Sequence, residues 1–320
     1  MRELTVAVIG AGKLGGLHAE KYAKLGGVKL GFVVDVNRPR AESMSARYGA
    51  VPHHDHRQIA DRIDLATVAT PSSTHFSVAA DLLAAGVDVL LEKPMAATAE
   101  QARALAELAR KSGALLQVGY LERFNPAVRR LRTLLKNPRF IECHRLSPFT
   151  ERGTDVDVIL DLMSHDLDVI LSLTQSEVVS VEALGVAVLT DLVDVANARV
   201  RFADGMVANL NTSRVAPRRE RKIRFFQPDA YISTDYEARS IQVYRKTRSA
   251  PGAMPTISAQ RIELEEGDPL GDEVASFVAC VRSRRPPAVS ASDGVRVVEL
   301  CEWIGNSIKA EPSRPVAAQP

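Results

Sequence analysis

Three short stretches hold residue types that could do chemistry. The first, Gly10-Ala11-Gly12-Lys13-Leu14-Gly15, has the spacing Gly-x-Gly-x-x-Gly. Glycines so spaced permit a tight turn and bring backbone N–H groups close to a pyrophosphate, with a helix N-terminus facing its charge. The second, Leu90-Leu91-Glu92-Lys93-Pro94-Met95, ends an apolar run on an acid, a base and a proline. A lysine held at a strand end could hydrogen-bond a substrate hydroxyl. The same two charges also suit an exposed ion pair, which contributes little. The third, Asp161-Leu-Met-Ser-His165, sets a carboxylate and an imidazole four residues apart. On a helix such side chains can touch. The carboxylate then fixes the tautomer of the imidazole and suits it to proton transfer. An ordinary Asp–His pair on a solvated helix face has the same spacing.

The elements that must position these residues alternate strand and helix. Residues 4–9 read as a buried strand running into the glycine loop, and a helical pattern follows to residue 25. A strand at 28–34 ends on Asp35, about twenty residues beyond Gly15, where an acid meets a ribose. Strands at 65–69, 87–91 and 114–118 alternate with helices at 40–48, 74–85 and 98–111. This cadence predicts a parallel sheet covered on both faces. Ligands of such sheets sit beyond the carboxyl ends of the strands, where Asp35, Thr70-Pro71 and Glu92-Lys93 all fall. Asp35 would repel a 2′-phosphate, so NAD is expected to be preferred over NADP. Arg38, three residues on, keeps NADP open.

From residue 122 the cadence changes. Asn125-Pro126 starts a helix to about residue 136, whose wet side carries Arg129, Arg130 and Arg132. A strand is expected at 139–146 and a long helix at 155–173. The runs 178–188, 193–202, 206–215, 221–226, 230–234, 241–246 and 256–264 then read as strands. Short turns join them, with Asp204-Gly205 a hairpin signal, so they are mostly antiparallel. Helices at 269–283 and 292–308 close the fold. On the long helix, Asp157, Asp161, Ser164, His165, Asp168 and Ser172 share an arc of about 100°. That stripe is expected to face solvent or a site. The organisation expected is a dinucleotide-binding domain at 1–121, an α+β domain at 122–310 and a loose proline-containing tail at 311–320.

Composition removes several classes. Hydrophobic residues make up 46% of the 320 and the net charge is +2, so a sizeable core is expected, with no electrostatic case for nucleic acid or an acidic membrane. No apolar run is long enough to span a bilayer, and residue 4 already enters a strand, which leaves no room for a signal peptide. Cys143, Cys280 and Cys301 are far apart, without metal or disulfide spacing, which suits a reducing, cytoplasmic location. The run Pro52-His53-His54-Asp55-His56 looks metal-like but lacks a distant fourth ligand, so no metal is expected.

The glycine loop, Glu92-Lys93-Pro94 and Asp161-x-x-x-His165 together resemble the Gfo/Idh/MocA oxidoreductase family, over essentially the whole chain. The resemblance implies an α/β protein, with an N-terminal Rossmann dinucleotide-binding domain and a C-terminal α+β domain whose large, mostly antiparallel open sheet forms a homodimer or homotetramer contact. It implies that Lys93 hydrogen-bonds the reacting hydroxyl, that His165 accepts its proton and that Asp161 orients His165 or shares that task. Gly10, Gly12, Lys13, Leu14, Gly15, Asp35 and Arg38 would hold the cofactor. Thr70, Pro71, Ser73 and His75 would line its cleft, and Glu92 would contact the nicotinamide side. A cis Lys93–Pro94 bond is also implied. Many members carry glycine where this chain has Asp157, which could crowd or recharge the substrate pocket. The segments 119–128 and 161–168 are similar to members that oxidise the 3-hydroxyl of UDP-N-acetylglucosamine. Arg123, Asn125 and the arginines near 214–224 would then be candidates for the sugar or diphosphate. Inositol- or glucose-type dehydrogenases, glycosidases that use bound NAD and non-catalytic dinucleotide-binding regulators share these motifs.

Overall fold

A computed structural model of the chain describes residues 2–150, 154–174, 176–247, 254 and 256–310. The expected tail at 311–320 lies outside these residues. The chain divides into two compact units: Met1–Thr133 with Leu167–Leu173 and Glu265–Glu299, and Leu134–Asp166 with Thr174–Leu264 and Leu300–Pro320.

The first unit is built as the strand–helix cadence requires. Its elements are β1 (Leu4–Ile9), α1 (Lys13–Lys24), β2 (Val28–Val34), α2 (Arg38–Tyr48), β3 (Val51–His53), β4 (Leu65–Val68), α3 (Ser72–Ala84), β5 (Asp88–Glu92), α4 (Ala99–Ser112), β6 (Leu116–Gly119) and α5 (Pro126–Leu134). The strands form one parallel sheet in the order β3-β2-β1-β4-β5-β6. β4 and β5 are buried at every residue, as expected of strands covered on both faces. The helices carry their own signals. Asn37 caps α2 by accepting from the Arg40 N–H, and Gly49 closes it with φ 68°. Thr98 caps α4 in the same way, through the Gln101 N–H.

A single cut at 121/122 separates the two sheets but not the helices. α7 (Pro269–Ser283) sends Val274, Phe277, Val278 and Val281 into the core formed by Val6, Val8, Tyr22, Leu30, Leu65 and Leu90. The parallel sheet thus needs a helix from late in the chain to close its apolar face. Periodicity gives the apolar face of a helix but not the sheet that receives it.

The second unit carries β7 (Phe140–Leu146), β8 (Val178–Val186), β9 (Val195–Phe202), β10 (Val207–Ser213), β11 (Glu220–Gln227), β12 (Ala230–Asp235), β13 (Ser240–Thr247) and β14 (Thr256–Glu263). They form an eight-stranded sheet in the order β14-β13-β12-β11-β7-β10-β9-β8. Its pairs are antiparallel except β7 with β10. β7, β9 and β12 alternate buried and more exposed residues, the pattern of a sheet with one packed face. Gly205 turns the β9–β10 hairpin with φ 83°.

The helix expected at 155–173 starts later and more loosely. Ile159–Met163 is a single π-helical stretch that runs into α6 (Ser164–Leu173). Asp157 stands before it and caps it: its carboxylate accepts the N–H groups of Ile159 at 3.0 Å and Leu160 at 2.9 Å. Asp157 is therefore a helix-start residue, not part of a polar stripe. The rest of the stripe does not face solvent as a whole: Ser164 and Asp168 are fully buried, while Asp161, His165 and Ser172 are half-buried. No helix among the described residues, α8 (Ala291–Ala310) included, is long and apolar enough to cross a membrane.

Candidate active site

In the first unit the glycine loop links β1 to α1. Gly10 has φ 102°, and a Cβ there would lie 2.5 Å from the Ala69 carbonyl oxygen. A Cβ on Gly15 would lie 1.8 Å from the Gly10 oxygen. Both positions exclude a side chain because backbone crosses there. Gly12 differs: nothing lies within 4 Å of a Cβ built on it. It is the N-cap of α1, makes no side-chain cap and is followed by no acid in the first turn. The leading N–H groups of α1 are left for an anion, which is the provision a pyrophosphate needs. These observations fit a dinucleotide: Gly10, Gly12 and Gly15 shape the loop, and Lys13 and Leu14 open the helix.

Asp35 joins that loop. Its carboxylate accepts the Ala11 N–H at 2.7 Å and the Asn37 N–H at 2.7 Å. Arg38 is exposed. Ala11, Pro39, Arg40, Ser43 and Met44 line a groove beside them; Arg40 and Ser43 belong to no sequence motif.

At the next strand ends the expected residues gather around two short turns. Lys93, half-buried, follows β5, and the Lys93–Pro94 peptide bond is cis. His75, buried on α3, places Nδ1 2.7 Å from the Pro94 carbonyl and Nε2 3.0 Å from the Thr70 carbonyl. His75 thus ties the turn after β4 to the turn after β5. Pro71 and Ser73 are exposed beside it. Glu92 turns inward, with 7% of its surface exposed, and its carboxylate lies 2.7 Å from His18 Nε2. His18 was missed by sequence reasoning. The available signal was an imidazole three residues beyond Gly15, on a helix face that is otherwise core.

Arg123 and Asn125 are engaged locally. Arg123 donates to both oxygens of Asp168, at 2.7 to 3.0 Å, and lies 3.3 Å from Asp293. Burial pushes the Asp168 carboxyl up to about 6, against the pull of Arg123. Asn125 caps α5 by accepting the Ala127 N–H at 2.9 Å and donates to Glu122.

In the second unit Asp161 lies in the π-turn and His165 in the first turn of α6, both half-buried. A π-turn widens the helix locally and recurs at functional sites. The next residue, Asp166, is buried and pairs with Arg145 through two hydrogen bonds of 2.8 and 2.9 Å. This pair anchors the start of α6 to β7. Of the arginines near 214–224, Arg214 is buried against Asp194 at 2.7 Å, while Arg218 and Arg219 are exposed.

The metal-like histidines diverge. His53 packs edge-on against Phe32, His54 meets the Asp35 carbonyl and His56 lies 3.0 Å from Asp81.

With this geometry in place, comparison with known proteins is specific. Residues 4–120 match the oxidoreductase family with an NAD-binding Rossmann fold, and residues 127–232 match the GFO/IDH/MocA C-terminal domain. UDP-N-acetylglucosamine 3-dehydrogenase from Acidithiobacillus ferrooxidans is 37% identical over 313 residues, which are 97% of this chain and 99% of that protein. A solved structure of the Acidithiobacillus ferrooxidans enzyme superimposes with a TM-score of 0.91 at 35% identity, covering 98% of this chain and all of that one (100%). Myo-inositol dehydrogenase Hyg17 from Streptomyces leeuwenhoekii is 32% identical over 234 residues, 67% of this chain and 71% of that protein. The chain belongs to the Gfo/Idh/MocA family of oxidoreductases, with an NAD-binding Rossmann fold.

Proposed function

We propose that this protein is an NAD-dependent dehydrogenase that oxidises a secondary hydroxyl of a nucleotide sugar, the 3-hydroxyl of UDP-N-acetylglucosamine. The observation that carries the reading is the similarity to the Acidithiobacillus ferrooxidans enzyme of that name, which runs through both units with almost no unmatched length. The inositol dehydrogenase match covers only two thirds of the chain, so it supports the shared chemistry more than the substrate.

The residues divide the work. The glycine loop and the N-terminus of α1 hold the pyrophosphate, and Asp35 accepts the adenine ribose hydroxyls, which favours NAD over NADP. When bound, NAD supplies the acceptor for the hydride. Lys93 donates a hydrogen bond to the reacting hydroxyl and stabilises the alkoxide character that develops as its proton leaves. His165 takes that proton, and Asp161 orients the imidazole for it. Thr70, Pro71, Ser73 and His75 shape the turns beside Lys93. Arg123 and Asn125 act as positioning residues, given their local partners. The presence of Lys93, Asp161 and His165 together favours turnover over a purely regulatory dinucleotide-binding role.

The exposed apolar residues of the large sheet, among them Val179, Leu184, Tyr244 and Ile257, support a homo-oligomer built on that sheet.

The test is a panel of sugars and UDP-sugars with NAD, followed at the NADH absorbance. The reading expects UDP-N-acetylglucosamine to be turned over far better than free glucose or inositol. Equal or better rates with free polyols would move the assignment to a polyol dehydrogenase.

A further inference from the structure

Beneath the lysine turn lies a buried polar cluster that the reaction scheme does not use. His18 from α1, Glu92 from β5 and Glu273 from α7 each offer one nitrogen or oxygen within 4.8 Å of the other two. His18 and Glu273 are fully buried and Glu92 nearly so. Glu273 sits on the core face of α7 beside Val274 and Phe277, where an unpaired charge is strongly disfavoured. Neither of its carboxylate oxygens has a hydrogen-bond partner among the described residues.

Glu92 faces this cluster and the lysine turn at once. One oxygen meets His18 Nε2 at 2.7 Å, and the other accepts the Lys93 N–H at 3.3 Å. Gly119 on β6 lets the carboxylate lie back there, since a Cβ on it would come within 3.1 Å of Glu92 Cδ and Oε2. The same carboxylate therefore connects the glycine-loop helix to the backbone of Lys93.

We propose that His18, Glu92 and Glu273 form a buried triad that positions Lys93, with Glu273 as the neutral acid packed behind an ionised Glu92. The positioning role rests on the reading of Lys93 as the residue that meets the reacting hydroxyl. Two carboxylates this close and this buried do not both ionise. Glu92 accepts the Lys93 N–H and lies against His18 Nε2, whereas Glu273 has no hydrogen-bond partner among the described residues to stabilise a charge, so the proton resides on Glu273. Burial pushes the Glu273 carboxyl up first, and the charges of Glu92 and Asp168 push it further. Of the other ionisable groups nearby, Tyr22 on α1 is committed to Thr67 at 2.8 Å. A divalent cation is the competing occupant of such a cluster. It is disfavoured because a ligating imidazole ordinarily donates its second N–H to a partner, and His18 Nδ1 has none among the described residues.

The test has a spectroscopic and a kinetic arm. Infrared spectra of the full-length protein at neutral pH should show a protonated carboxylic C=O stretch that Glu273→Gln removes. No such band in the wild type, or a band that survives the substitution, overturns the triad. Metal analysis should find no stoichiometric divalent ion; one that is lost on His18→Ala overturns it too. In turnover, Glu273→Leu should lower kcat about 10- to 100-fold, the scale of a slightly misplaced group. KM for NAD should stay near its wild-type value, and Glu273→Gln should restore kcat. Unchanged kcat in Glu273→Leu overturns the positioning role. Lys93→Ala separates the two readings: if it keeps full turnover, the Lys93 assignment fails and positioning fails with it, while the infrared band still decides the triad.

Discussion

The Asp35 carboxylate accepts a hydrogen bond from the Ala11 amide, 2.7 Å away, so the acid at the end of β2 and the glycine loop after β1 form one unit. An anion carried at the adenine ribose would meet that carboxylate. At an effective dielectric near 20, each unit-charge pair at 4 Å costs about 4 kcal/mol before screening. Asp35→Ser is therefore expected to raise kcat/KM for NADP relative to NAD by about tenfold or more, with the exposed Arg38 meeting the new phosphate. Parallel measurements with both cofactors check this. A wild type that prefers NADP would overturn the role given to Asp35.

The loop glycines should separate packing from binding. Gly15→Ala drives a Cβ into the Gly10 carbonyl and should cost about 1–3 kcal/mol of stability, as well as dinucleotide affinity. Gly12→Ala meets no protein atom within 4 Å, so its melting temperature should hold while NAD binding weakens. Thermal melts and NAD titrations of the two variants make the comparison. A Gly12→Ala protein that binds NAD normally would contradict the placement of the pyrophosphate.

Hydride transfer should depend on Lys93 and His165 far more than NAD binding does. Lys93→Ala and His165→Ala are each expected to reduce kcat by about 10²–10⁴, the scale of an acid–base group, with NAD affinity near normal. Near-normal turnover in both would sink the assignment.

Asp194 is expected to contribute to acid stability in the second unit. Burial alone would push its carboxyl up, but the Thr190 N–H, the Arg214 guanidinium and the N–H groups of Leu189 and Val188 hold it well below the usual carboxylate range. A lowered folded-state pKa means stability that is fully present above the unfolded value, near pH 4, and lost as pH falls further. Asp194→Asn should cost about 3–5 kcal/mol at pH 7, because it leaves the buried Arg214 without its anion. It should also flatten the fall in stability below pH 4. Urea unfolding at pH 7 and pH 3 measures both effects.

What the sequence shows and what it hides follow from the range of the interactions. The glycine loop, Asp35 and Glu92-Lys93-Pro94 were legible because a strand end, a tight turn and a helix start are local events with local signals. The strands of the large sheet were legible for the same reason: alternation survives wherever one face is packed. The return of α7 to the parallel sheet was not, since apolar spacing is the same whichever sheet receives the helix. The polar stripe failed for a related reason. A helical wheel puts Asp168 on one arc with Asp161 and His165, but it cannot show that Arg123, 45 residues earlier, takes Asp168 into a buried ion pair. His18 and Glu273 escaped notice because each looks unremarkable alone, and only the fold brings them to Glu92.

The most direct measurement follows the hydrogen that leaves the sugar. UDP-N-acetylglucosamine deuterated at C3 is incubated with the protein and NAD, and the nicotinamide product is examined by mass spectrometry and NMR. One deuterium is expected in NADH as the 3-keto sugar forms, with slower turnover than the unlabelled substrate where hydride transfer limits the rate. NADH without deuterium, or no NADH from this substrate while free inositol is oxidised, would contradict it.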